Sequence, residues 1–117
     1  MTSDCIFCKI LDGKIPSTRL AESDLAVAIA DITPQAPVHA LIIPRKHVAS
    51  LNDLTAADRR EILPALYDLA DQLARDKGVR ETGYRTLINN GESAGQTVFH
   101  LHMHVLAGAK MKHGFGA

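Results

Sequence analysis

Residues 95–106 read Gly95-Gln96-Thr97-Val98-Phe99-His100-Leu101-His102-Met103-His104-Val105-Leu106. Three histidines alternate with large apolar residues. Successive side chains of a β-strand point to opposite faces, and residues two apart share one face. The segment therefore reads as a strand, placed at His102 to Leu106. Leu101, Met103 and Val105 turn towards a core, and the histidines share the other face. Residues two apart on a strand are separated by about 6.6 Å, which lets two imidazoles hold one phosphate group between them. Imidazole changes charge near neutral pH. A neutral ring can attack phosphorus, and a protonated ring can donate to a departing group. For one histidine, a solvated polar face or an incidental metal patch is the plainer reading. Six histidines in the chain, three of them within five residues, argue against it here.

Working outward, Leu25–Ile29 and Val38–Ile43 are short apolar runs that read as strands, divided by Pro34 and Pro37. Tyr84–Ile88 reads as a further strand. Thr55 with Asp58 three residues on resembles a capping box. Beyond it, Ile62, Leu66, Leu69 and Leu73 recur at the spacing of one helical face, and the helix ends near Gly78. Pro64 falls inside that helix, where it removes a backbone hydrogen bond and kinks the helix unless it lies near its start. Residues 5–11 read as one or two helical turns before Gly13, and Ile15-Pro16-Ser17 as a turn. These elements predict an α+β fold. Its antiparallel, hairpin-like sheet is joined by one long helix and a short N-terminal helix. No repeat, linker or low-complexity tract divides residues 1–117, which read as a single domain.

Composition narrows the function. The chain is 46% hydrophobic and 22% charged, ordinary for a globular protein with one modest core. Thirteen basic residues balance thirteen acidic ones. Such a balance provides no electrostatic footprint for nucleic acid or an anionic membrane, so a phosphate ligand must be met locally. No apolar run is long enough to cross a membrane. No secretory leader is expected from Met-Thr-Ser-Asp-Cys, and the two cysteines, three residues apart, suit a reducing, cytoplasmic setting.

The whole pattern resembles the histidine triad family, whose signature is His-x-His-x-His followed by apolar residues. Three other segments are similar to its Hint branch. They are Asp31-Ile32-Thr33-Pro34-Gln35-Ala36-Pro37-Val38-His39, Ile42-Ile43-Pro44-Arg45-Lys46-His47, and Asn89-Asn90-Gly91 ahead of Gly95-Gln96-Thr97. The resemblance runs from about Cys5 to Met111. It implies an antiparallel sheet, usually joined to a second copy as a homodimer, and hydrolysis of adenosine or guanosine 5′-phosphoramidates.

The resemblance also implies roles. His102, the middle histidine, is the expected nucleophile towards the α-phosphorus. His104 and His39 match histidines beside the phosphate, and both are candidates for the general acid. Thr97 matches a hydroxyl position that is often serine. Gly95 and Gln96 match a phosphate loop, Asn89 a polar contact near the phosphate, and Asp31 the carboxylate that holds the ribose hydroxyls. A carboxylate can accept two hydrogen bonds from a cis-diol. Each has a plainer alternative: a strand-forming Thr97, turn residues at Gly95 and Asn89, and a turn-forming Asp31. Ile6, Phe7, Ile29, Ile32 and Leu41 are candidates for the base pocket, although apolar residues more often belong to the core.

Cys5-x-x-Cys8 can chelate a metal through two thiolates. In some family members such a pair joins the histidines that here are His47 and His100. Cys5, Cys8, His47 and His100 would make a closed tetrahedral zinc set, structural because it leaves no position open for substrate. Buried thiols or a thioredoxin-like redox pair are the alternatives, and the latter lacks the strand expected ahead of the motif. The Hint branch often carries a C-terminal tryptophan, whereas this chain has none and ends His113-Gly114-Phe115-Gly116-Ala117. His113 has no motif role and reads as a solvated histidine. Two other functions compete with the phosphoramidase: a dinucleoside polyphosphate hydrolase of the same family, and a non-catalytic nucleotide-binding interaction protein.

Overall fold

The structure is a computed structural model, and it describes residues 4–112. In chain order the elements are α1 (Ile6–Leu11), β1 (Arg19–Glu22), β2 (Ala26–Ala30), β3 (Val38–Pro44), α2 (Ala56–Asp76), β4 (Tyr84–Leu87) and β5 (Met103–Ala107). Single 3₁₀ turns lie at Leu51–Asp53 and Glu92–Ala94. The strands form one antiparallel sheet in the order β1-β2-β3-β5-β4. After β3 the chain crosses in α2 to β4 at the edge, then returns as β5 between β3 and β4. The histidine strand is therefore central, paired on both sides. The α+β expectation holds.

Helix α2 begins as its capping box predicts. Thr55 accepts from the Asp58 amide, and Asp58 accepts from the Thr55 amide. The helix runs unbroken through Pro64, well inside its 21 residues, so Pro64 does not mark its start. Its buried stripe of Ile62, Leu66, Leu69 and Leu73 packs on Ala26, Ala28, Ala40, Ile42, Leu101, Met103 and Val105. The alanines let the helix come close, and each buried leucine or isoleucine contributes about 1.5–3 kcal/mol. The opposite face of β2 and β3 is covered by α1. There Phe7 and Ile10 pack on Val27, Ile29, Leu41 and Ile43.

The anticipated strands fall within a residue of the expected bounds, and two features differ in ways that bear on the site. The last strand begins at Met103, so His102 lies just ahead of it. The Leu101 amide donates to the Val48 carbonyl at 2.7 Å, which draws residues 100–102 out of the ladder. The alternation nevertheless persists, with Leu101, Met103 and Val105 all buried on the α2 side. Strand β1 was not anticipated. It is a short edge strand of mixed polarity, held to β2 through an irregularity between Arg19 and Ala21. The tail from His113 onward lies outside the described residues.

Candidate active site and metal-ligand cluster

The face of the sheet opposite α2 carries five histidines in two groups. The first group is His39, His102 and His104. On β3, His39 lies beside β5, whose His104 shares its face. His39 Nε2 is 2.9 Å from His104 Nδ1, and the His102 and His104 rings lie 5.2 Å apart. Phe7 of α1 packs edge-on against His102 at 5.1 Å. His39 and His102 are buried and His104 is half-buried.

Hydrogen bonds set the tautomers. His102 Nδ1 is 2.8 Å from the His100 carbonyl. A carbonyl only accepts, so Nδ1 carries the hydrogen and Nε2 of the neutral ring bears the lone pair. The Gln35 amide donates to His39 Nδ1 at 3.0 Å, so His39 holds its hydrogen on Nε2 and gives it to His104 Nδ1. His104 in turn holds its hydrogen on Nε2. Asp31 Oδ2 stands 3.3 Å from His39 Nε2, and its Oδ1 accepts from the Thr33 amide and hydroxyl. Asp31 is thus both a turn former and a neighbour of the histidines.

Burial pushes the pKa of His104 below the usual histidine value near 6.5; the neighbouring His102 and His39 act in the same direction, and Asp31 opposes them. The unfolded chain therefore binds more protons than the folded one at mildly acid pH, and stability is lost as pH falls from about 6.5. Urea unfolding should show a lower midpoint at about pH 5.5 than at about pH 7.5, and His104→Gln should flatten that dependence. A midpoint that rises on acidification would contradict the burial of this ring.

The second group comprises Cys5, Cys8, His47 and His100, whose ligating atoms all lie within 4.8 Å of one another. His100 Nδ1 is 3.4 Å from Cys5 Sγ, 3.6 Å from Cys8 Sγ and 3.1 Å from His47 Nδ1. His47 Nδ1 is 3.4 Å from Cys8 Sγ. His100 Nε2 donates to the Pro44 carbonyl at 2.8 Å, so its Nδ1 lone pair faces the thiols. Burial pushes the His100 pKa down, the Pro44 bond opposes this, and His47 and His102 add to the lowering. Two sulfurs and two imidazole nitrogens, with a ring oriented by a carbonyl behind it, fit a zinc-type metal. The α1 turn, the loop after β3 and the segment before β5 supply the four side chains. Among the described residues no strand precedes Cys5, as a redox pair would need.

Other expected residues are placed unevenly. Gly95 has φ +93°, a conformation that favours glycine, and it closes the turn at Glu92–Ala94. The Gln96 side chain is buried and turned inward: it accepts from the Gly91 amide and donates to the carbonyls of Ala49 and Val98. Its side-chain amide braces the loop. Thr97 is exposed and lines a cleft with Asp4, Cys5, Ile6, His47 and Phe99. Asn89 is half-buried at the end of β4, and its neighbour Asn90 ties the loop by accepting from the Leu51 amide. Phe7, Ile29 and Leu41 are core residues, whereas Ile32 is 92% exposed. Ile32 and Asp31 line a cleft of about 420 Å³ with Pro16, Ser17, Thr18 and Ala30. The sequence reading missed residues 16–18, because their turn composition shows nothing of what they face.

Residues 12–111 match the HIT domain. The chain belongs to the HIT family. It is 40% identical over 108 residues to the purine nucleoside phosphoramidase of Escherichia coli K12, covering 92% of this chain and 90% of that protein. It is 44% identical over 108 residues to an uncharacterized HIT-like protein of Synechocystis, covering 92% and 93%. A HIT family hydrolase from Clostridium thermocellum superposes with a TM-score of 0.94 at 43% identity, covering 98% of this chain and 99% of that one. A histidine triad protein from Clostridium difficile superposes at 0.93 with 41% identity, covering 97% and 98%. The HIT assignment and the antiparallel sheet with one long and one short helix agree with the sequence reading. Among the described residues no helix is long and apolar enough to cross a membrane.

Proposed function

We propose that this HIT protein is a purine nucleoside phosphoramidase, hydrolysing the P–N bond of adenosine or guanosine 5′-phosphoramidates through a nucleotidyl-histidine on His102. The observation that carries this reading is the bond from His102 Nδ1 to the His100 carbonyl, which leaves the Nε2 lone pair for attack. Nε2 forms a bond to the α-phosphorus as the P–N bond breaks. The electron pair of that bond stays on the departing amine, which takes up a proton. His104 is the donor in this reading. His39 turns its Nε2 hydrogen towards His104, whose own hydrogen sits on the far Nε2. The negative charge of bound phosphate favours the protonated, cationic His104 ring, which returns to a neutral imidazole when its Nε2 proton passes to the departing amine. Water then attacks phosphorus and gives its proton to the now neutral His104 as the bond between phosphorus and His102 Nε2 breaks, which releases the nucleotide and restores both rings. The phosphoramidase relative supports the substrate class.

Asp31 takes the ribose hydroxyls, Ile32 the base, and Thr97, Gly95 and Asn89 the phosphate region. Gln96 holds that loop in shape rather than touching the ligand. Cys5, Cys8, His47 and His100 would hold a structural zinc, which would cross-link three chain segments and supply no step of the reaction. A homodimer fits the position of β4 at the edge of the sheet among the described residues, where a second copy could add a strand. The balanced charge supports a small nucleotide ligand over nucleic acid or membrane, in a cytoplasmic setting.

The test of the nucleotide site is Asp31→Ala. Binding of AMP should weaken about tenfold or more, and binding of the 2′,3′-dideoxy nucleotide far less, since only AMP offers the diol. Equal losses for the two, measured by calorimetry, would remove Asp31 from the ribose site and leave it as a turn residue.

A further inference from the structure

Arg85 is opposite Leu106 in the β4–β5 pair, and His39 is opposite the same Leu106 in the β3–β5 pair. Directly opposed residues of antiparallel strands project from one face, as do residues two apart on one strand. His39, His104, Leu106 and Arg85 therefore share the histidine face. Two strand spacings put the Arg85 backbone roughly 10 Å from that of His39. Asp31, 3.3 Å from His39, belongs to the loop between β2 and β3, on the other side. Across the face the order is Asp31, His39, His104, Arg85. A nucleotide anchored by its ribose at Asp31 and by phosphorus at the histidines has the β4 side left for the rest of the substrate.

That side is a cationic cleft. Gln35, Pro37, Arg85, Leu106, Lys110 and Lys112 line about 300 Å³. The Gln35 amide at one end is the group that orients His39. Gly108 packs against Pro37 beside the cleft: its φ is +94°, and a Cβ there would meet the Pro37 Cβ at 2.9 Å. Only glycine lets the 109–112 segment turn so tightly over residues 35–37. An adjoining cleft of about 250 Å³ shares Arg85 and Lys110. No carboxylate lines either one, although the chain as a whole is neutral. Arg85 gives a hydrogen bond to the Lys112 carbonyl at 3.2 Å, which positions the guanidinium without neutralising it.

We propose that Arg85, with Lys110 and Lys112, forms a subsite for an anionic group on the part of the substrate beyond the scissile phosphorus. That group is a carboxylate of the departing amine or a further phosphate. A guanidinium fork matches either in two parallel hydrogen bonds. This subsite rests on the phosphoramidase reading of the same histidines, and it makes Arg85 a determinant of leaving-group specificity.

The test compares adenosine 5′-phosphoramidates of β-alanine and of propylamine, which differ by a carboxylate at the end of equal chains. The wild type should favour the β-alanine substrate in kcat/KM. Arg85→Ala should lower the ratio of the two values about tenfold, and Arg85→Lys should restore part of it. In a second arm, competition binding of ADP and AMP reads the same position with a phosphate. Loss of the preference in either arm supports the subsite and tells which anion it takes. Unchanged preferences in both arms would overturn it. So would equal losses for the acidic and neutral substrates together with a lowered melting temperature, the signature of a structural arginine. If neither phosphoramidate is turned over, the activity reading fails while the ADP and AMP arm still decides the subsite.

Discussion

His102→Asn should abolish phosphoramidate turnover while leaving the fold and nucleotide binding intact. The asparagine amide can replace Nδ1 as donor to the His100 carbonyl, so the bond that holds the segment survives. What disappears is the Nε2 lone pair, and with it the only route through a covalent intermediate. Removal of a nucleophile commonly costs about 10⁴-fold or more in kcat. Thermal unfolding should shift little, because the buried donor keeps its acceptor. AMP should still bind, through Asp31 and the phosphate region. Retention of even a tenth of wild-type kcat would exclude His102 as nucleophile. A large fall in melting temperature would instead mean that the ring is needed for packing against Phe7, 5.1 Å away.

Loss of the metal ligands should have the second large effect, on stability rather than chemistry. Cys5, Cys8, His47 and His100 come from three separated segments, and the unfolded chain holds no preformed site, so zinc bound there would add to folding free energy. His100→Ala should remove the zinc and lower the melting temperature on the order of 10 °C. Its backbone carbonyl remains, so His102 keeps its acceptor and activity should be reduced but not lost. Elemental analysis of protein purified without chelator measures the metal directly. Protein that takes up no zinc from a stoichiometric supply would refute the site. Protein that stays folded but loses all activity on chelation would show a catalytic metal.

The two groups of histidines share one short segment, and this explains how much could be read in advance. A period of two sorts Leu101, Met103 and Val105 from the histidines whatever the neighbouring strands do, so the faces were legible. Where the strand starts depends on a distant partner, Val48, whose carbonyl takes the Leu101 amide. No local pattern contains that. Strand β1 exists because β2 offers it a ladder, and its own residues carry no alternation. The resemblance places Gln96 in a phosphate loop, whereas the three hydrogen bonds that turn its side chain into that loop are a tertiary fact with no local pattern. Arg85 was invisible for a topological reason. It precedes the histidines in sequence, yet the return of β5 between β3 and β4 sets it on their face. The pairing of Cys5 and Cys8 with His47 and His100 followed from the family pattern, and the structure brings those four side chains together.

The central claim is that the reaction passes through a covalent bond between the α-phosphorus and His102. Its most direct measurement is a rapid denaturing quench of enzyme mixed with adenosine 5′-phosphoramidate, kept alkaline because a phosphorus–nitrogen bond is acid labile, followed by mass spectrometry of the peptide that contains residues 100–104. The account predicts a nucleotidyl mass on His102 that appears before the steady state and is absent from His102→Asn. A nucleotidyl group on His104 or His39, or efficient turnover with no adduct at any quench time and inversion of configuration at phosphorus, the outcome of a single displacement, would contradict it.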